Sequence, residues 1–429
     1  MTGFRAYQVL TRALWPIFWL FLLRRLWIGK ELPFRVRERR GIATKLRGEG
    51  RLIWFHGASI GETLSILPLA NHMAEEFPNA ELLITSGTIT SANLIANRLP
   101  ERAQHQFLPL DHPAWVDRFL RYWQPDVGIW AESEIWPNLV QRCRQMDIPL
   151  HLVNARLSDT SYRRWGRRPR LARLLFSAFD SLIAQSRKDA DRFAALGANA
   201  PVNGGNIKFA GEALPAGKTE VDGWRGAFFG RPTWFAANTH PGEEAMVLAA
   251  HEQLKQQHPG LLTIIGPRHP ERIDDLQAKL LADRPHALYS EGPDLVSSHS
   301  VLLVDQLGVL GPLYRTCNIA LVAGSLIPGV GGHNPIEPAR NGAVVLMGQH
   351  VDNQADLVEL FVDEDALIQI TDAASLVDAV DFLLSDQERR SELQAKAQQL
   401  VESQADVLRL YSNALIPKIL RSFKRKARQ

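Results

Sequence analysis

Apolar residues along the chain form short runs, each followed by small turn residues and then by a stretch with helical spacing. The first run covers 51–55, and a glycine turn and a helical pattern from Glu62 onward follow it. Runs of this length bounded by turn residues are typical of buried strands, and their alternation with helices predicts a parallel, doubly wound sheet. The same pattern recurs at 81–85, 127–130, 150–153 and 181–184.

A second series of the same kind begins at 234–237 and continues at 261–266, 301–304, 319–324 and 343–347. The stretch between the two series, 211–232, is rich in glycine, proline and charge. The pattern therefore predicts two Rossmann-like domains, 49–215 and 216–405, flanked by an N-terminal anchor and basic linker (1–48) and a C-terminal helix and basic tail (406–429). Ligands of such sheets lie beyond the carboxyl ends of the strands, so we expect the site in a cleft between the domains.

Near the N-terminus, 13–23 is apolar and is followed directly by Arg24 and Arg25. A spanning helix needs roughly 20 residues, so this run is short unless 26–28 extend it. An interfacial anchor is the favoured interpretation, and an ordinary buried helix is the alternative. Three tryptophans suit a headgroup belt: Trp15, Trp19 and Trp27.

Composition is that of an ordinary globular protein, with 429 residues, 45% hydrophobic and 22% charged. The net charge of +3 hides an uneven distribution, because residues 1–51 carry twelve Lys or Arg against three Glu, a local balance of about +9. A basic segment beside an apolar run favours the anionic cytoplasmic leaflet as a partner, and we expect no nucleic acid. Cys143 and Cys317 lack the spacing of metal ligands, which argues against a zinc site or a disulfide framework.

Acidic residues follow two of the strands predicted in the first domain. Glu62 lies at a helix start after a small-residue turn, where it is either a catalytic base or a charge that complements the helix N-terminus. Glu132 and Glu134 follow 127–130, and in extended chain their side chains would point the same way. They could hold a hydroxyl or shift each other's pKa, or be solvated loop acids.

In the second domain the candidate residues suit phosphate. Arg268 emerges after the apolar strand 261–266, where a guanidinium can bind phosphate with two hydrogen bonds, although a surface arginine is the alternative. The segment 324–339 is rich in glycine, and we expect Asn334 and Pro335 to begin a helix whose free N–H groups attract phosphate. Glu337 can accept hydrogen bonds from a ribose diol.

Several segments match, in order, the motifs of a known family. They are the turn ending in Glu62, then 132–138, 154–158, 205–209, 239–244, 267–272 and 333–338. On these motifs the chain resembles the Kdo (3-deoxy-D-manno-octulosonic acid) transferases of Gram-negative bacteria, glycosyltransferase family 30, which have the GT-B architecture. That resemblance implies transfer of Kdo from CMP-Kdo to the lipid A precursor lipid IVA, with inversion, in lipopolysaccharide synthesis.

The resemblance also implies roles for single residues. Glu62 is then the general base, and Glu132 and Lys208 stabilise the transition state. Nine residues would hold CMP: Pro267, Arg268, Gly308, Val309, Leu310, Asn334, Pro335, Ile336 and Glu337. The family has glutamate where this chain has Val309, so that side-chain contact is lost and only backbone contacts of the segment would remain.

We expect no metal ion and no cofactor besides the donor substrate. Residues 363–365 spell Asp-Glu-Asp, the pattern that metal-dependent transferases use, but their setting is that of a solvated surface. A basic run that includes Arg163, Arg164, Arg167 and Arg168 either grips the acceptor's lipid phosphates or is merely a solvated face.

The expected location is the cytoplasmic face of the inner membrane. Two other functions stay open at this point: another GT-B enzyme that uses a UDP-sugar, and a noncatalytic lipid-binding scaffold of the same fold.

Overall fold

A computed structural model describes residues 2–96, 98–211 and 213–426. The chain divides into two compact units, Met1–Gly211 with Gln404–Gln429, and Glu212–Ser403. The change of unit thus comes four residues before the boundary that composition suggested. The C-terminal segment joins the first unit and is not a separate appendage.

The N-terminal unit contains a seven-stranded sheet in the order β3-β2-β1-β4-β5-β6-β7, and every pairing is parallel. Its strands are β1 (Leu52–Gly57), β2 (Glu81–Ser86), β3 (Ala103–Phe107), β4 (Val127–Ala131), β5 (Leu150–Ala155), β6 (Ser181–Ala184) and β7 (Val202–Asn203). The strand order reverses between β1 and β4, which is where ligands of doubly wound sheets bind.

The helices of this unit are α1 (Thr2–Ala13), α2 (Trp15–Trp27), α3 (Ile60–Glu76), α4 (Ile89–Ile95), α5 (Pro113–Trp123), α6 (Pro137–Gln145), α7 (Asp159–Gly166), α8 (Pro169–Phe176), α9 (Arg187–Ala195) and α18 (Val407–Lys426), with short 3-10 turns at Val36–Arg40 and Ile207–Ala210. The helix that the sequence predicted from Glu62 begins two residues earlier, because Ser59 caps it.

The C-terminal unit repeats this plan with the parallel order β10-β11-β9-β8-β12-β13-β14. Its strands are β8 (Thr233–Thr239), β9 (Leu262–Pro267), β10 (His286–Leu288), β11 (Val301–Leu303), β12 (Ile319–Val322), β13 (Val344–Met347) and β14 (Leu367–Gln369). Its helices are α10 (Lys218–Phe228), α11 (Glu243–Gln257), α12 (Ile273–Leu280), α13 (Leu310–Thr316), α14 (Ile336–Arg340), α15 (Ala355–Asp363), α16 (Ala373–Ser385) and α17 (Gln387–Ser403), with 3-10 turns at Pro270–Arg272, Tyr289–Glu291 and Pro293–Ser298. Here the order reverses between β8 and β12.

Each sheet is buried on both faces, which is why its strands read as continuous apolar runs. In β1, Leu52 and Trp54 enter one hydrophobic core, whereas Ile53 and Phe55 enter the core on the opposite face. All ten strands predicted from such runs are present. Four were missed because they are short or polar edge-region strands; β3, for example, reads Ala-Gln-His-Gln-Phe.

Helix α18 belongs to the core of the N-terminal unit. Its residues Val407, Tyr411, Leu415 and Ile419 recur every four positions, form one face, and pack in the same core as Ile53. Helix α18 therefore covers one face of the first sheet.

The N-terminal helices pack on this unit by one side only. The rings of Phe18 and Trp115 pack with their centroids 6.0 Å apart, and the Arg40 guanidinium lies over the Trp19 ring. Their other side exposes large apolar side chains: Val9, Leu10, Trp15, Ile17, Leu20, Phe21, Leu23 and Trp27. Among the described residues no single helix has the length and hydropathy needed to cross a bilayer; α1 and α2 qualify only as a pair bent by 58°, on length and composition alone.

We predict that Leu415→Ala destabilises the N-terminal unit by about 2–5 kcal/mol, because Leu415 is 0% exposed and its loss leaves a cavity. Chemical unfolding measures the change, and hydrogen exchange should show lost protection in β1 but not in β13. Leu420→Ala on the same helix is the control, since that side chain is 44% exposed and its loss should cost no more than about 0.5 kcal/mol. Equal effects of the two substitutions would contradict this packing.

Candidate active site

The topology of the N-terminal unit brings three carboxylates to the point where the strand order reverses. Glu62 lies in the first turn of α3, directly after β1, and Glu132 and Glu134 directly follow the neighbouring strand β4. We call these three side chains the acidic cluster.

Glu62 is fixed by hydrogen bonds at the start of α3. The Ala58 N–H donates to Oε2 at 2.7 Å, and the Ser59 hydroxyl donates to Oε1 at 3.0 Å. Gly57 lets the helix approach the strand so closely, since a Cβ there would lie 2.8 Å from the Thr63 nitrogen. Each carboxylate oxygen still has a lone pair for a substrate hydroxyl.

The half-buried Glu62 carboxylate has a pKa raised to about 7. Burial is the main cause, and the negative charges of Glu132 and Glu134 raise the pKa further against the hydrogen bonds from Ala58 and Ser59. A carboxylate with a pKa near neutral is suited to accept a proton in catalysis. Helix-start charge and catalytic base, which the motif left as alternatives, are thus both compatible with this position.

The chain turns at Glu132, so the expected extended geometry of 132–134 is wrong. Glu132 has a φ of 56°, which is uncommon for a residue with a side chain, and its N–H donates to the Val153 carbonyl at 2.9 Å. The expected electrostatic coupling is present nevertheless. Burial raises the pKa of Glu134, and the charge of Glu132 adds to that shift.

The loop before Lys208 is held by buried polar groups from β5 and α18. The Tyr411 hydroxyl donates to the Gly205 carbonyl at 2.9 Å and accepts the Asn154 N–H at 3.2 Å. Asn154 Oδ1 accepts the Ile207 N–H at 2.9 Å. The half-buried Lys208 is therefore presented by a fixed backbone, although its motif and that of Asn154 are far apart in sequence.

The basic run lies on α7 and in the connection to α8. Arg163, Arg164, Arg167 and Arg168 are all exposed. Helix α7 follows the carboxyl end of β5, so it begins at the same edge of the sheet as the acidic cluster. Exposure by itself fits both interpretations, an anion-binding surface and a solvated face.

In the C-terminal unit, the three expected CMP-binding segments lie at one edge of the sheet. Pro267 ends β9 and precedes the exposed Arg268, while 308–310 follow β11 and 334–337 follow β12. Because β11, β9, β8 and β12 are consecutive in the sheet, all three segments lie beyond neighbouring carboxyl ends.

The helix in the segment 334–337 begins two residues later than expected. Helix α14 begins at Ile336 and has only five residues, so its N–H groups matter more than any long dipole. Asn334 Oδ1 accepts the Ile336 N–H at 3.1 Å. Val309 is 8% exposed and packs into an apolar cluster, so its side chain points into the protein interior.

Three histidines accompany Arg268 at this edge. His240 follows β8, His269 follows Arg268, and His333 precedes Asn334; the Nε2 atoms of His240 and His333 are 2.9 Å apart. We call Arg268 and the three histidines the basic cluster. Glu243 fixes it, because its buried carboxylate accepts the N–H groups of His240 at 2.9 Å, Gly324 at 2.8 Å and Leu326 at 2.9 Å.

The acidic tripeptide 363–365 ends α15 and is exposed. The Asp365 carboxylate pairs with Arg389 at 2.9 Å and with Lys396 at 2.7 Å, both on α17. Its structural partners agree with the surface interpretation of this segment.

Sequence reasoning assigned no role to His240, Glu243, Asn154 or Tyr411. The first three lie in matched motifs at or shortly after the carboxyl ends of strands, which was a usable signal. Tyr411 gave none, since nothing in a helical pattern shows which strand end it will reach.

Comparison with known proteins points to one family. Residues 34–211 match the sequence model of 3-deoxy-D-manno-octulosonic-acid transferase (kdotransferase). The 3-deoxy-D-manno-octulosonic acid transferase of Rickettsia bellii is 34% identical, over 90% of this chain and 92% of that protein. The Bordetella pertussis protein of the same name is 32% identical, over 96% of this chain and 99% of that protein.

A solved glycosyltransferase from Rickettsia africae has the same fold, with a TM-score of 0.58 over 87% of this chain and 99% of that one. At 12% identity this likeness concerns the fold alone. It confirms the expected GT-B class of two Rossmann-like units.

We predict that Glu62→Gln makes the protein more stable than the wild type above about pH 7, and that the difference disappears towards pH 4.5. The folded-state pKa of Glu62 is raised from 4.5 to about 7, so its contribution to stability is full below this window and is lost as pH rises through it. Glutamine keeps one accepting oxygen, enough for the Ala58 N–H, and removes the charge. Thermal unfolding at several pH values measures the difference.

The matched control is Glu101→Gln, which removes an exposed carboxylate from the same unit. It should not reproduce this pH-dependent gain. A Glu62→Gln protein less stable than the wild type at every pH would show that the charge of Glu62 is not the strained group.

Proposed function

The chain belongs to the family of 3-deoxy-D-manno-octulosonic acid (Kdo) transferases, and we propose how its residues carry out Kdo transfer from CMP-Kdo to the lipid A precursor, lipid IVA. It is a glycosyltransferase of lipopolysaccharide synthesis. The acceptor chemistry is assigned to the N-terminal unit and the donor chemistry to the C-terminal unit.

The observation that carries this assignment is the position of Glu62, which hydrogen bonds hold directly after β1 where the strand order reverses; its raised pKa agrees with it. In the reaction an acceptor hydroxyl oxygen forms a bond to the anomeric carbon of Kdo while the bond from that carbon to the phosphate oxygen breaks. Glu62 accepts the hydroxyl proton, and CMP leaves with the bonding electrons. A single displacement of this kind inverts the anomeric configuration.

Lys208 and Glu132 are assigned to the charges that develop during the displacement. The Lys208 ammonium stabilises negative charge on the departing phosphate, and the Glu132 carboxylate stabilises positive charge on the sugar ring. The hydrogen bonds from Asn154 and Tyr411 to the loop before Lys208 support this role, since fixed charges need no reorganisation during the reaction.

The donor assignment gives CMP to Pro267, Arg268, Gly308, Val309, Leu310, Asn334, Pro335, Ile336 and Glu337. The shared sheet edge and the exposed guanidinium of Arg268 support it. At position 309 only the backbone serves, because the valine side chain packs inward. Arg268 and Lys208 each supply a positive charge suited to phosphate, so the assignment calls for no metal ion and no further cofactor.

The acceptor is a lipid, and we assign the contact of the protein with the membrane to α1 and α2. Their exposed apolar side chains and the basic residues that follow suit an anionic leaflet, which supports a location at the cytoplasmic face of the inner membrane. Arg163, Arg164, Arg167 and Arg168 are assigned to lipid phosphates, and their exposure near the carboxyl edge of the first sheet supports this.

We predict that Glu62→Gln lowers the rate of Kdo transfer by about 100-fold or more, because no group then accepts the hydroxyl proton. The wild-type kcat/KM should rise with pH and reach half of its maximal value near pH 7, where Glu62 ionises. Glu134→Gln should move that midpoint to lower pH, since a negative charge that raises the Glu62 pKa is gone. Product formation from CMP-Kdo and lipid IVA measures each rate.

Glu101→Gln is again the control and should transfer at the wild-type rate. Full activity of Glu62→Gln would remove Glu62 as the base. Incorporation from a UDP-sugar but not from CMP-Kdo would contradict the donor assignment, and a folded wild-type protein without any transfer would favour the scaffold alternative.

We predict that the double substitution Leu20→Ser and Leu23→Ser weakens binding to vesicles of phosphatidylethanolamine and phosphatidylglycerol by about 10- to 100-fold. Both side chains are exposed on α2, so their loss removes apolar contact without opening a core. Co-sedimentation measures the bound fraction. Phe229→Ser removes an apolar side chain of the C-terminal unit that is even more exposed, and this variant should bind as the wild type does. Equal weakening would rule out α2 as the contact.

A further inference from the structure

The close contact of two imidazoles in the basic cluster is not used by the proposed reaction. The Nε2 atoms of His240 and His333 are 2.9 Å apart, with ring centroids 5.2 Å apart and planes inclined by 11°. His269 stands edge-on to His240 at 6.1 Å. The contact lies where the strand order reverses between β8 and β12, the usual place for a ligand of such a sheet.

The backbone conformation of the two loops that carry these histidines holds the contact in place. Glu243 accepts the N–H of His240 and that of Gly324, so a single carboxylate fixes both loops. Gly324 has a φ of 71°, and a Cβ there would lie 2.9 Å from Cδ2 of His333. Only glycine therefore lets the His333 ring occupy this position.

A metal ion does not explain the contact. Zinc binds imidazole nitrogen at about 2.0–2.1 Å, which separates two tetrahedral ligands by about 3.3 Å. The observed 2.9 Å is a hydrogen-bond distance. Within the described ranges, no group of three or more His, Cys, Asp or Glu side chains could hold a metal ion.

The distance sets the proton count of the pair. One Nε2 must carry a proton and the other must accept it. One further proton can bind at the Nδ1 of the donating ring without breaking this hydrogen bond. A second would place two N–H groups face to face, so the pair has room for a single additional proton.

The surroundings of the histidine pair disfavour this additional proton when no anion is bound. Burial lowers the pKa of His333 to about 3, helped by the charge of Arg268 and by His240 and His269. Burial also lowers the pKa of His240, against the opposing charges of Glu243 and Glu244. Glu243 already accepts three backbone N–H groups, and Oε1 of Glu244 pairs with Arg272 at 2.8 Å, while the buried Oε2 of Glu244 accepts no hydrogen bond from the described residues.

We propose that His240 and His333 recognise the phosphate of the nucleotide and take up one proton when this anion binds. The inference rests on the proposed CMP site. The phosphate supplies the countercharge that the empty cluster lacks, and the proton comes from solvent and bonds to a nitrogen lone pair, so no other bond changes. Binding of the product CMP takes up more of a proton than binding of CMP-Kdo, because the phosphate of CMP is a dianion at neutral pH.

Isothermal titration calorimetry of CMP at neutral pH, in two buffers of different ionisation enthalpy, tests the proposal. The wild type should take up between about 0.5 and 1 proton per CMP, and its CMP affinity should increase as pH falls, by no more than about tenfold per pH unit. His240→Asn and His333→Asn should bind CMP with little or no uptake. Cytidine, which has no phosphate, should cause none with any of these proteins.

His269→Asn is the matched control, since this exposed ring touches the pair only by its edge. Its uptake should persist, because the substitution removes a neighbour that disfavours the extra proton. The CMP-minus-cytidine difference on wild-type protein gives the answer even if a variant does not fold. CMP binding without proton uptake would overturn this inference alone, whereas absence of CMP binding would overturn the donor assignment with it.

Discussion

The rest of the molecule depends on a constraint of parallel sheets: strands covered on both faces can present polar chemistry only beyond their ends. Both sheets here are wholly parallel, and their central strands are buried. Functional groups therefore lie in the connections after β1, β4 and β7 in the first unit and after β8, β9, β11 and β12 in the second. Those connections need local restraints, and polar side chains provide them: the exposed Ser59 at Glu62, the buried Asn154 near Lys208, and the buried Glu243 at the histidines.

The same electrostatic effect acts with opposite sign in the two units. In the acidic cluster, burial and neighbouring carboxylates raise the pKa of Glu62, so that it ionises near neutral pH. In the basic cluster, burial and neighbouring positive groups lower the pKa of His333, so that it stays neutral. In the proposed reaction Glu62 accepts a hydroxyl proton, and in the further proposal an anion offsets the positive charge of the basic cluster.

Helices α18 and α1 both make hydrogen bonds that hold loops of the first unit in place. The Tyr411 hydroxyl of α18 donates to the loop before Lys208, and the Tyr7 hydroxyl of α1 donates to Asp111 at 2.9 Å. Asp111 in turn accepts the Asn138 N–H at the start of α6, shortly after the acidic cluster. Helix α1, which is assigned to the membrane, is thus linked through Asp111 to Asn138 at the start of α6, four residues after Glu134.

The sequence by itself determined the fold class and the ten main strands, because burial on both faces makes a parallel strand a continuous apolar run. It also located Glu62, Arg268 and the segment 334–337, since chemistry after a strand end is a local signal. Only the tertiary structure decided the turn at Glu132, the inward side chain of Val309, and the return of α18 to the first unit. It alone showed the contacts of Tyr411 with Asn154 and of His240 with His333, because those partners are distant in sequence and local periodicity does not report long-range pairing.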